Sequence, residues 1–266
     1  MICVAAYQAA PAQTIALRYQ QIHTILSDAD TRGVDIICFP EGFLTGYYAS
    51  EDLTRKNSFH IHDIVFQQFL TDIRGYRVTI IMGFNERDGE FLFDSAAVIE
   101  QGKVLGVQRK HYRYHDFCQS GTEFLSFMSK GVCFSVIICL DSNYFEPSRL
   151  SALQGATILF VPACNKVAPT HAFAQRTPYY SHFVARAHEN RCWLVAADWV
   201  WPNDGTEVCP GHTVIYNADG REVARSQEGI EDLVVIGIPQ NQLFAQKGKR
   251  MHGSPDLWQK IVTYFI

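Results

Sequence analysis

Residues 132–162 read VCFSVIICLDSNYFEPSRLSALQGATILFVP, and their pattern decides the fold class. A run of strand-forming apolar residues leads to Cys139, and a helix begins near Pro147, because proline at a first helical position loses no hydrogen bond. The helix ends at Gly155, and a second apolar run, residues 157–161, follows at once. The order strand, cysteine, helix, strand predicts an α/β fold with Cys139 where such folds place their chemistry. Cys139 is therefore a candidate nucleophile, with a buried core thiol as the alternative.

The composition of the 266-residue chain is that of a globular enzyme. Hydrophobic residues make up 47% and charged residues 19%, so disorder is not expected. A formal net charge of -4 gives no basic field for nucleic acid or for an acidic membrane surface. No apolar run reaches the roughly 20 residues of a membrane helix, and the first residues lack the basic flank of a signal peptide. The sequence therefore predicts a cytoplasmic protein without a nucleic-acid or membrane partner.

The eight cysteines form neither a disulfide pattern nor a zinc pattern. No two of them are spaced as Cys-x-x-Cys, and no pair of histidines has zinc-finger spacing. Most of the thiols lie inside apolar runs. We therefore expect reduced core thiols, without a disulfide framework or a structural zinc ion.

Two more predicted strands end at a reactive side chain. Residues 34–39 run into Glu41, where apolar neighbours favour a buried carboxylate with a raised pKa. Lys110 directly follows the last of three consecutive strands, residues 77–84, 91–100 and 103–108, whose tight turns predict a partly antiparallel sheet. A solvated glutamate and a surface lysine are the ordinary alternatives.

The rest of the chain continues the alternation of strands and helices. Strands are predicted over residues 2–8, 192–197, 211–216, 222–226 and 233–238, and helices over residues 14–32, 59–73 and 173–190. The tail, residues 239–266, carries the apolar residues Leu257, Trp258, Ile261, Tyr264 and Phe265. Such a tail is expected to pack on its own domain or on a partner subunit. No internal repeat or linker divides the chain, so residues 1–266 are predicted to form one domain.

Glu41, Lys110 and Cys139, in this order and each just past a strand, resemble the reactive groups of the nitrilase superfamily of carbon–nitrogen hydrolases. Five blocks in the family's order carry the resemblance: Phe39-Pro40-Glu41 with Gly46-Tyr47; Arg109-Lys110-His111; Cys139-Leu140-Asp141 with Glu146, Arg149, residues 153–156 and Pro162; Arg186-Ala187-His188-Glu189-Asn190; and Gly211-His212-Thr213 with Asp219-Gly220. Chance agreement of five such blocks is not expected.

The resemblance implies a more specific fold than periodicity does, since periodicity gives only the alternating α/β class. It implies a four-layer α-β-β-α sandwich in which two mixed sheets pack face to face with helices outside. It also implies a homodimer or a higher homo-oligomer. The residues after Pro147 and the helix that contains Arg186 are expected at that contact.

The resemblance also implies a chemistry without a metal or an organic cofactor. In it Glu41 is the base for Cys139, Lys110 and the backbone N–H of Leu140 hold the oxyanion, and a thioester forms on Cys139. Leu140-Asp141 is similar to the amidase and carbamoyl-amidase branches, so the expected partner is a small linear amide or an N-carbamoyl compound. Candidate pocket residues are Tyr47, Tyr114, Asn143, Asn165 and Trp199.

The sequence departs from the family's pattern at two positions. Relatives commonly have another glutamate before the glycine that aligns with Gly121, whereas Asp116 is a possible supporting acid here. Either Asp116 substitutes for that glutamate or the role is lost. Asn143 stands where many relatives carry arginine.

Three alternative functions remain open at this point. A non-catalytic or regulatory protein could keep the fold and bind a ligand or a partner. An acyltransferase would use the same thioester with an amine in place of water. A papain-like Cys-His-Asn site ranks below both, because the flanking signature of that family is absent around Cys139.

Overall fold

The structure, a computed structural model, describes residues 1–172, 181–202, 204–244, 259–260 and 262–263. Its first sheet has the strand order β14-β1-β2-β3-β4-β5. These strands are β1 (Ile2–Gln8), β2 (Ile36–Cys38), β3 (Thr79–Asp88), β4 (Phe91–Glu100), β5 (Lys103–Arg109) and β14 (Asp232–Ile238). β1, β2 and β3 pair in parallel, and the remaining pairs are antiparallel. The sheet is therefore mixed, and its antiparallel part includes the predicted β3-β4-β5 meander.

The second sheet has the strand order β13-β12-β9-β8-β7-β6. These strands are β6 (Ser126–Ser129), β7 (Val132–Val136), β8 (Ile158–Pro162), β9 (Trp193–Ala197), β12 (Val214–Tyr216) and β13 (Glu222–Arg225). β7, β8 and β9 are parallel, and the pairs that flank them are antiparallel. A short separate pair consists of β10 (Val200–Trp201) and β11 (Cys209–Pro210). The second sheet is thus mixed as well.

The helices lie between these strands in the chain. They are α1 (Ile15–Thr31), α2 (Glu51–Asn57), α3 (Ile64–Ile73), α4 (Phe145–Leu153), α5 (Pro169–Ala172), α6 (Ser181–Asn190) and α7 (Gln240–Phe244), with a 3-10 helix at Cys139–Asn143. α4 begins two residues before Pro147. Of the predicted helix over residues 173–190, the part before α6 lies outside the described residues.

Side chains alternate between the two faces of each sheet, so one face packs against the other sheet and the opposite face packs against helices. Val4 of β1 shares a core cluster with Phe134 and Phe160 of the second sheet, so the two sheets pack face to face. Tyr7, on the opposite face of β1, shares another cluster with Ile22 of α1 and with residues of α3. The outer face of the second sheet packs in the same way against α4 and α6. The four-layer α-β-β-α sandwich with two mixed sheets is confirmed.

A β-bulge in the first sheet shifts the register of the β4-β5 hairpin. Ile99 lies opposite Val104, but Val98 lies opposite Gly106, so Leu105 is the extra residue. Beyond the bulge Ser95 lies opposite Arg109. Because side chains alternate between faces, this shift of one residue decides which side chains of β4 face the end of β5.

Only the beginning of the predicted tail is described. Leu243 of α7 is 2% exposed and packs into the core between the sheets. The apolar residues that suggested a packed tail, at positions 257, 258, 261, 264 and 265, lie outside the described residues. Within the part of the chain that is described, no helix combines the length and the apolar character that crossing a membrane requires.

Candidate active site

The structure brings Glu41, Lys110 and Cys139 together. Glu41 lies in the turn after β2, Lys110 directly follows β5, and Cys139 begins the 3-10 helix after β7, so the two sheets both contribute. Lys110 Nζ donates a hydrogen bond to Glu41 Oε1, and Cys139 lies close enough for the charges of Glu41 and Lys110 to act on its thiol. The side chains of Glu41 and Lys110 are 0% and 1% exposed. A buried carboxyl group and a buried ammonium therefore meet a partly buried thiol.

The turn that carries Glu41 is held by contacts to its backbone atoms. The indole Nε1 of Trp199 donates a 2.8 Å hydrogen bond to the carbonyl oxygen of Glu41. The turn also lies directly against β3 at Gly83, where an added Cβ would be 2.2 Å from the carbonyl oxygen of Pro40 and 2.7 Å from the nitrogen of Gly42. Only glycine permits this approach, so Gly83 allows the turn that carries Glu41 to pack directly against β3.

Gly83→Ala is expected to lower both stability and activity. The added methyl group meets backbone atoms that cannot rotate away, so the turn must shift, at a cost of about 2 kcal/mol in the free energy of unfolding. Urea denaturation measures this loss. Gly75→Ala is the matched control, since a Cβ there has no atom within 4 Å. Equal stability of the two variants would contradict the packing argument.

The backbone at Cys139 is held in an unusual conformation. Cys139 has a φ of 43°, in the left-handed region that non-glycine residues avoid. Its carbonyl oxygen accepts a 2.6 Å hydrogen bond from the Ser142 hydroxyl group, and the Ser142 carbonyl oxygen accepts one of 3.1 Å from Arg186 Nε. The thiol makes a weak 3.9 Å contact with the carbonyl oxygen of Cys164. The sharp turn is thus held from α6, and it aims the sulfur at Glu41 and Lys110.

Asp141 connects the Cys139 turn to the loop after Lys110. Its side chain is buried and accepts hydrogen bonds from the backbone N–H groups of His111, at 3.0 Å, and of Tyr112, at 2.7 Å. Its second oxygen accepts one of 3.2 Å from the N–H of Ile138. The aspartate therefore ties the segments that carry the ammonium and the thiol to each other.

Burial and charge shift the ionisation of all three groups. Burial raises the pKa of Glu41 well above its usual value, the charge of Asp94 adds to this, and Lys110 opposes it. Burial and then the Glu41 charge raise the pKa of the Cys139 thiol, again against Lys110. For Lys110 the effect of burial is outweighed by the carboxylates of Asp94 and Glu41, and its pKa is raised. Lys110 is accordingly a cation at neutral pH, and Cys139 keeps its proton until a base removes it.

Asp94 contacts Lys110 and was not predicted from the sequence. It lies near the middle of β4, and its Oδ2 accepts a 3.0 Å hydrogen bond from Lys110 Nζ. The backbone N–H of Lys110 bonds to the carbonyl oxygen of Asp94, which extends the β4-β5 register beyond Ser95 and Arg109. A regular hairpin would have put Phe93 opposite Lys110, and the bulge puts Asp94 there instead. A bulge of this kind leaves no clear signal in the sequence.

A cavity of about 100 Å³ opens onto the thiol. It is lined by Cys139 and Leu140 and by four of the five predicted pocket residues, Tyr47, Tyr114, Asn143 and Asn165. The fifth, Trp199, is 1% exposed and is not among the lining residues within the described part of the chain. It holds the Glu41 backbone instead. Asp116 is exposed, and its backbone carbonyl oxygen accepts a hydrogen bond from Arg113.

Two charged residues at the cavity were not predicted. Lys166 Nζ lies 3.8 Å from the centre of the Trp201 ring and 3.4 Å from Glu207 Oε2. Both charged side chains line the cavity together with Cys139, and that of Lys166 is 17% exposed, whereas that of Glu207 is 47% exposed. Lys166 and Glu207 lie on two loops that are far apart in the sequence, so the local sequence pattern does not indicate that they meet.

Comparisons with known proteins identify the family of the chain. The carbon-nitrogen hydrolase family model matches residues 3–247. The chain is 29% identical over 254 residues to a nitrilase of Pyrococcus abyssi, a match that covers 91% of this chain and 89% of the relative. It is 28% identical over 193 residues to an (R)-stereoselective amidase of a Pseudomonas species, with 70% and 67% covered.

A solved structure shares the fold. A Saccharomyces cerevisiae member of branch 10 of the nitrilase superfamily superposes with a TM-score of 0.81 at 18% identity, covering 94% of this chain and 96% of that chain. At this identity the likeness concerns the fold alone, whereas the family model covers most of the sequence. The chain therefore belongs to the carbon-nitrogen hydrolase family, within the nitrilase superfamily.

Proposed function

We propose that this hydrolase cleaves the C–N bond of a small linear amide or N-carbamoyl compound through a thioester on Cys139. One observation carries the proposal: a buried carboxyl group and a buried ammonium meet a thiol that also lines a small cavity. A thiol, a base and a cation at one carbon are what acyl transfer from an amide requires. Leu140-Asp141 favours an amide over a nitrile substrate, and the relatives, which include both a nitrilase and an amidase, do not distinguish the two.

In the proposed first half of the reaction, Glu41 removes the proton from Cys139, and the sulfur attacks the carbonyl carbon. The electron pair of the C=O bond moves to oxygen, where Lys110 and the backbone N–H of Leu140 stabilise the negative charge. Each such donor contributes roughly 3 kcal/mol in the transition state. The C–N bond then breaks, the nitrogen takes the proton from Glu41 and leaves as ammonia or an amine, and the acyl group remains as a thioester.

The second half repeats these steps with water. Glu41 takes a proton from a water molecule, whose oxygen attacks the thioester carbon. The C–S bond breaks, the carboxylic acid is released, and the Cys139 sulfur regains a proton from Glu41. The same carboxyl group thus serves as base and acid twice. Because its pKa is raised, it is a stronger base toward a thiol than an ordinary glutamate.

The positive charge of Lys166, which lines the cavity, narrows the proposed substrate class. Lys166 is mostly buried and held between the Trp201 ring and Glu207, so its position is fixed before a ligand arrives. A fixed ammonium that lines a small cavity is suited to a substrate carboxylate. We therefore favour a short amide that carries a carboxylate at its far end.

Lys166→Met tests this assignment with two amides of equal chain length, the monoamide of succinic acid and butanamide. We expect kcat/KM for the charged amide to fall roughly 10- to 100-fold, the loss of one charge-assisted hydrogen bond, with butanamide little affected. Lys56→Met, at an exposed position on α2, is the control for loss of a positive charge. A parallel fall for both amides would show that Lys166 does not recognise the carboxylate.

The proposed function itself is tested by ammonia release from a panel of amides and N-carbamoyl compounds. Release of ammonia with formation of the matching acid is the expected result. Product analysis in the presence of an added amine distinguishes hydrolysis from acyl transfer, because an acyltransferase would yield the substituted amide. Absence of turnover with every compound of the panel would count against the proposal.

A further inference from the structure

Lys110 has two carboxylate partners. Its ammonium donates to Glu41 Oε1 and, at 3.0 Å, to Asp94 Oδ2. The Asp94 side chain is 14% exposed, so this second carboxylate is also largely removed from water. Two carboxylates and one ammonium leave an excess negative charge beside Cys139, in surroundings where charge is costly.

The outer oxygens of the two carboxyl groups share an unusual property. Glu41 Oε2 and Asp94 Oδ1 are both buried, and within the described part of the chain neither has a hydrogen-bond donor. Because both carboxyl groups bond to the same Lys110 ammonium and each keeps an acceptor without a donor, one added proton on either group would have an acceptor to donate to. The proposed reaction supplies such a proton when Glu41 takes it from Cys139.

We infer that Asp94 is a positioning residue of the site: it holds the Lys110 ammonium and accepts a hydrogen bond from Glu41 once Glu41 has taken the Cys139 proton. This inference rests on the proposed function. The transfer breaks the S–H bond of Cys139 and forms an O–H bond on Glu41, and that O–H group then donates to Asp94 Oδ1. Asp94 thereby makes Glu41 a stronger base without receiving the proton itself.

The proton affinities of the two partners show why such support is needed. An ordinary thiol has a pKa of about 8.5 and an ordinary glutamate one of about 4.3, so the transfer would be unfavourable by roughly four decades. The charge of Asp94 and its hydrogen bond both raise the pKa of Glu41, after burial as the largest cause. Asp116, the candidate that the sequence suggested for a supporting acid, is exposed on the loop after Lys110.

Several titratable groups lie near the two carboxyl groups. Those whose charges interact with Glu41 or Asp94 are Lys110, Cys139, Tyr47, His115, Cys118 and Cys164. Burial raises the pKa of Tyr47 and of the thiols, and it lowers that of His115, so these groups favour their neutral forms. Asp94 accepts a hydrogen bond from Lys110, and a substitution at Asp94 removes its charge while it leaves Glu41 in place.

Asp94→Asn is the test, because asparagine keeps the shape and removes the charge. We expect kcat/KM for a turned-over amide to fall roughly 10- to 100-fold, and the acid limb of its pH profile to move to lower pH by about one unit, since Glu41 loses a neighbouring negative charge. Asp94→Ser removes the same charge with a smaller side chain and is used if the asparagine variant does not fold. Asp88→Asn is the matched control: Asp88 pairs with Arg109 at 2.8 Å and is 51% exposed, and no change is expected.

A second readout does not depend on turnover. The rate at which iodoacetamide alkylates Cys139, followed by peptide mass spectrometry over pH, should fall at neutral pH in Asp94→Asn, and its acid limb should move to lower pH, because Glu41 then holds the thiol proton less strongly. This shift is expected even if no amide is hydrolysed, which separates the inference from the proposed function. A rate loss without a shift of either profile would assign Asp94 a purely structural role and overturn the inference, as would profiles equal to those of Asp88→Asn.

Discussion

Cys139→Ala is expected to abolish ammonia release from every amide that the unmodified protein hydrolyses, with a fall in kcat of at least about 10⁴-fold. Alanine has no atom that could form the thioester, and the remaining donors can only polarise the carbonyl group. Because the three groups act as a unit, Glu41 and Lys110 cannot compensate. Release of ammonia is followed with a coupled assay at saturating substrate.

Cys133→Ala provides the matched control for this prediction. Cys133 lies on β7, the strand that leads to Cys139, and is half-buried. Its replacement should leave turnover within about twofold of the unmodified protein, because it does not line the cavity within the described part of the chain. Equal activity of the Cys139 variant and this control would show that the reaction does not pass through Cys139.

Lys110→Met is expected to damage both activity and stability. Removing the ammonium leaves the carboxyl groups of Glu41 and Asp94 buried without a cation, which costs about 3 to 5 kcal/mol in the free energy of unfolding. Activity should fall at least about 10³-fold, since the proposed oxyanion loses its charged donor. Urea denaturation and ammonia release measure the two effects.

The stability loss in Lys110→Met should depend on pH in a defined direction. The pKa of Glu41 is raised in the folded protein, so its stability contribution is fully present below the pKa of the unfolded chain, about 4.3, and is lost as pH rises through the folded value. Lys110 limits the increase in the pKa of Glu41. Without it the folded-state pKa is higher still, so the variant loses more free energy of unfolding as the pH rises. The variant should therefore lie closer to the unmodified protein at pH 5 than at pH 7.

Lys130→Met is the control for the stability measurement. Lys130 pairs with Glu100 at 3.4 Å on the surface, where an ion pair contributes about 0 to 1 kcal/mol. A Lys110 variant as stable as this control, at both pH values, would mean that the buried carboxyl groups do not need the cation.

Sequence patterns predicted the positions of the three reactive groups because each lies within a few residues of a strand end. The predicted strands stop at Phe39, Gln108 and Ile138. The presence of two sheets followed from the family resemblance and not from periodicity, and the structure shows that both sheets contribute a reactive group. The structure confirms the two-sheet sandwich, and the catalytic roles of the three residues stay a proposal.

The supporting contacts could not be predicted, for physical reasons. Asp94 faces Lys110 only because one residue bulges out of β5, and a regular hairpin would turn the aspartate away. Trp199 and Lys166 reach the site from loops distant in sequence, and aromatic and charged side chains of that kind are too common to single out. Gly83 marks a close approach between β3 and the Glu41 turn that only coordinates reveal.

The most direct test is a mass measurement on an acid-quenched reaction. The protein is mixed with a turned-over amide, denatured in acid within the first turnovers, digested and mapped. We expect the peptide that contains Cys139 to carry the added mass of the acyl group, and to lose that mass on treatment with hydroxylamine. Steady ammonia release with an unmodified Cys139 peptide at every time, or with the acyl group on another residue, would contradict it.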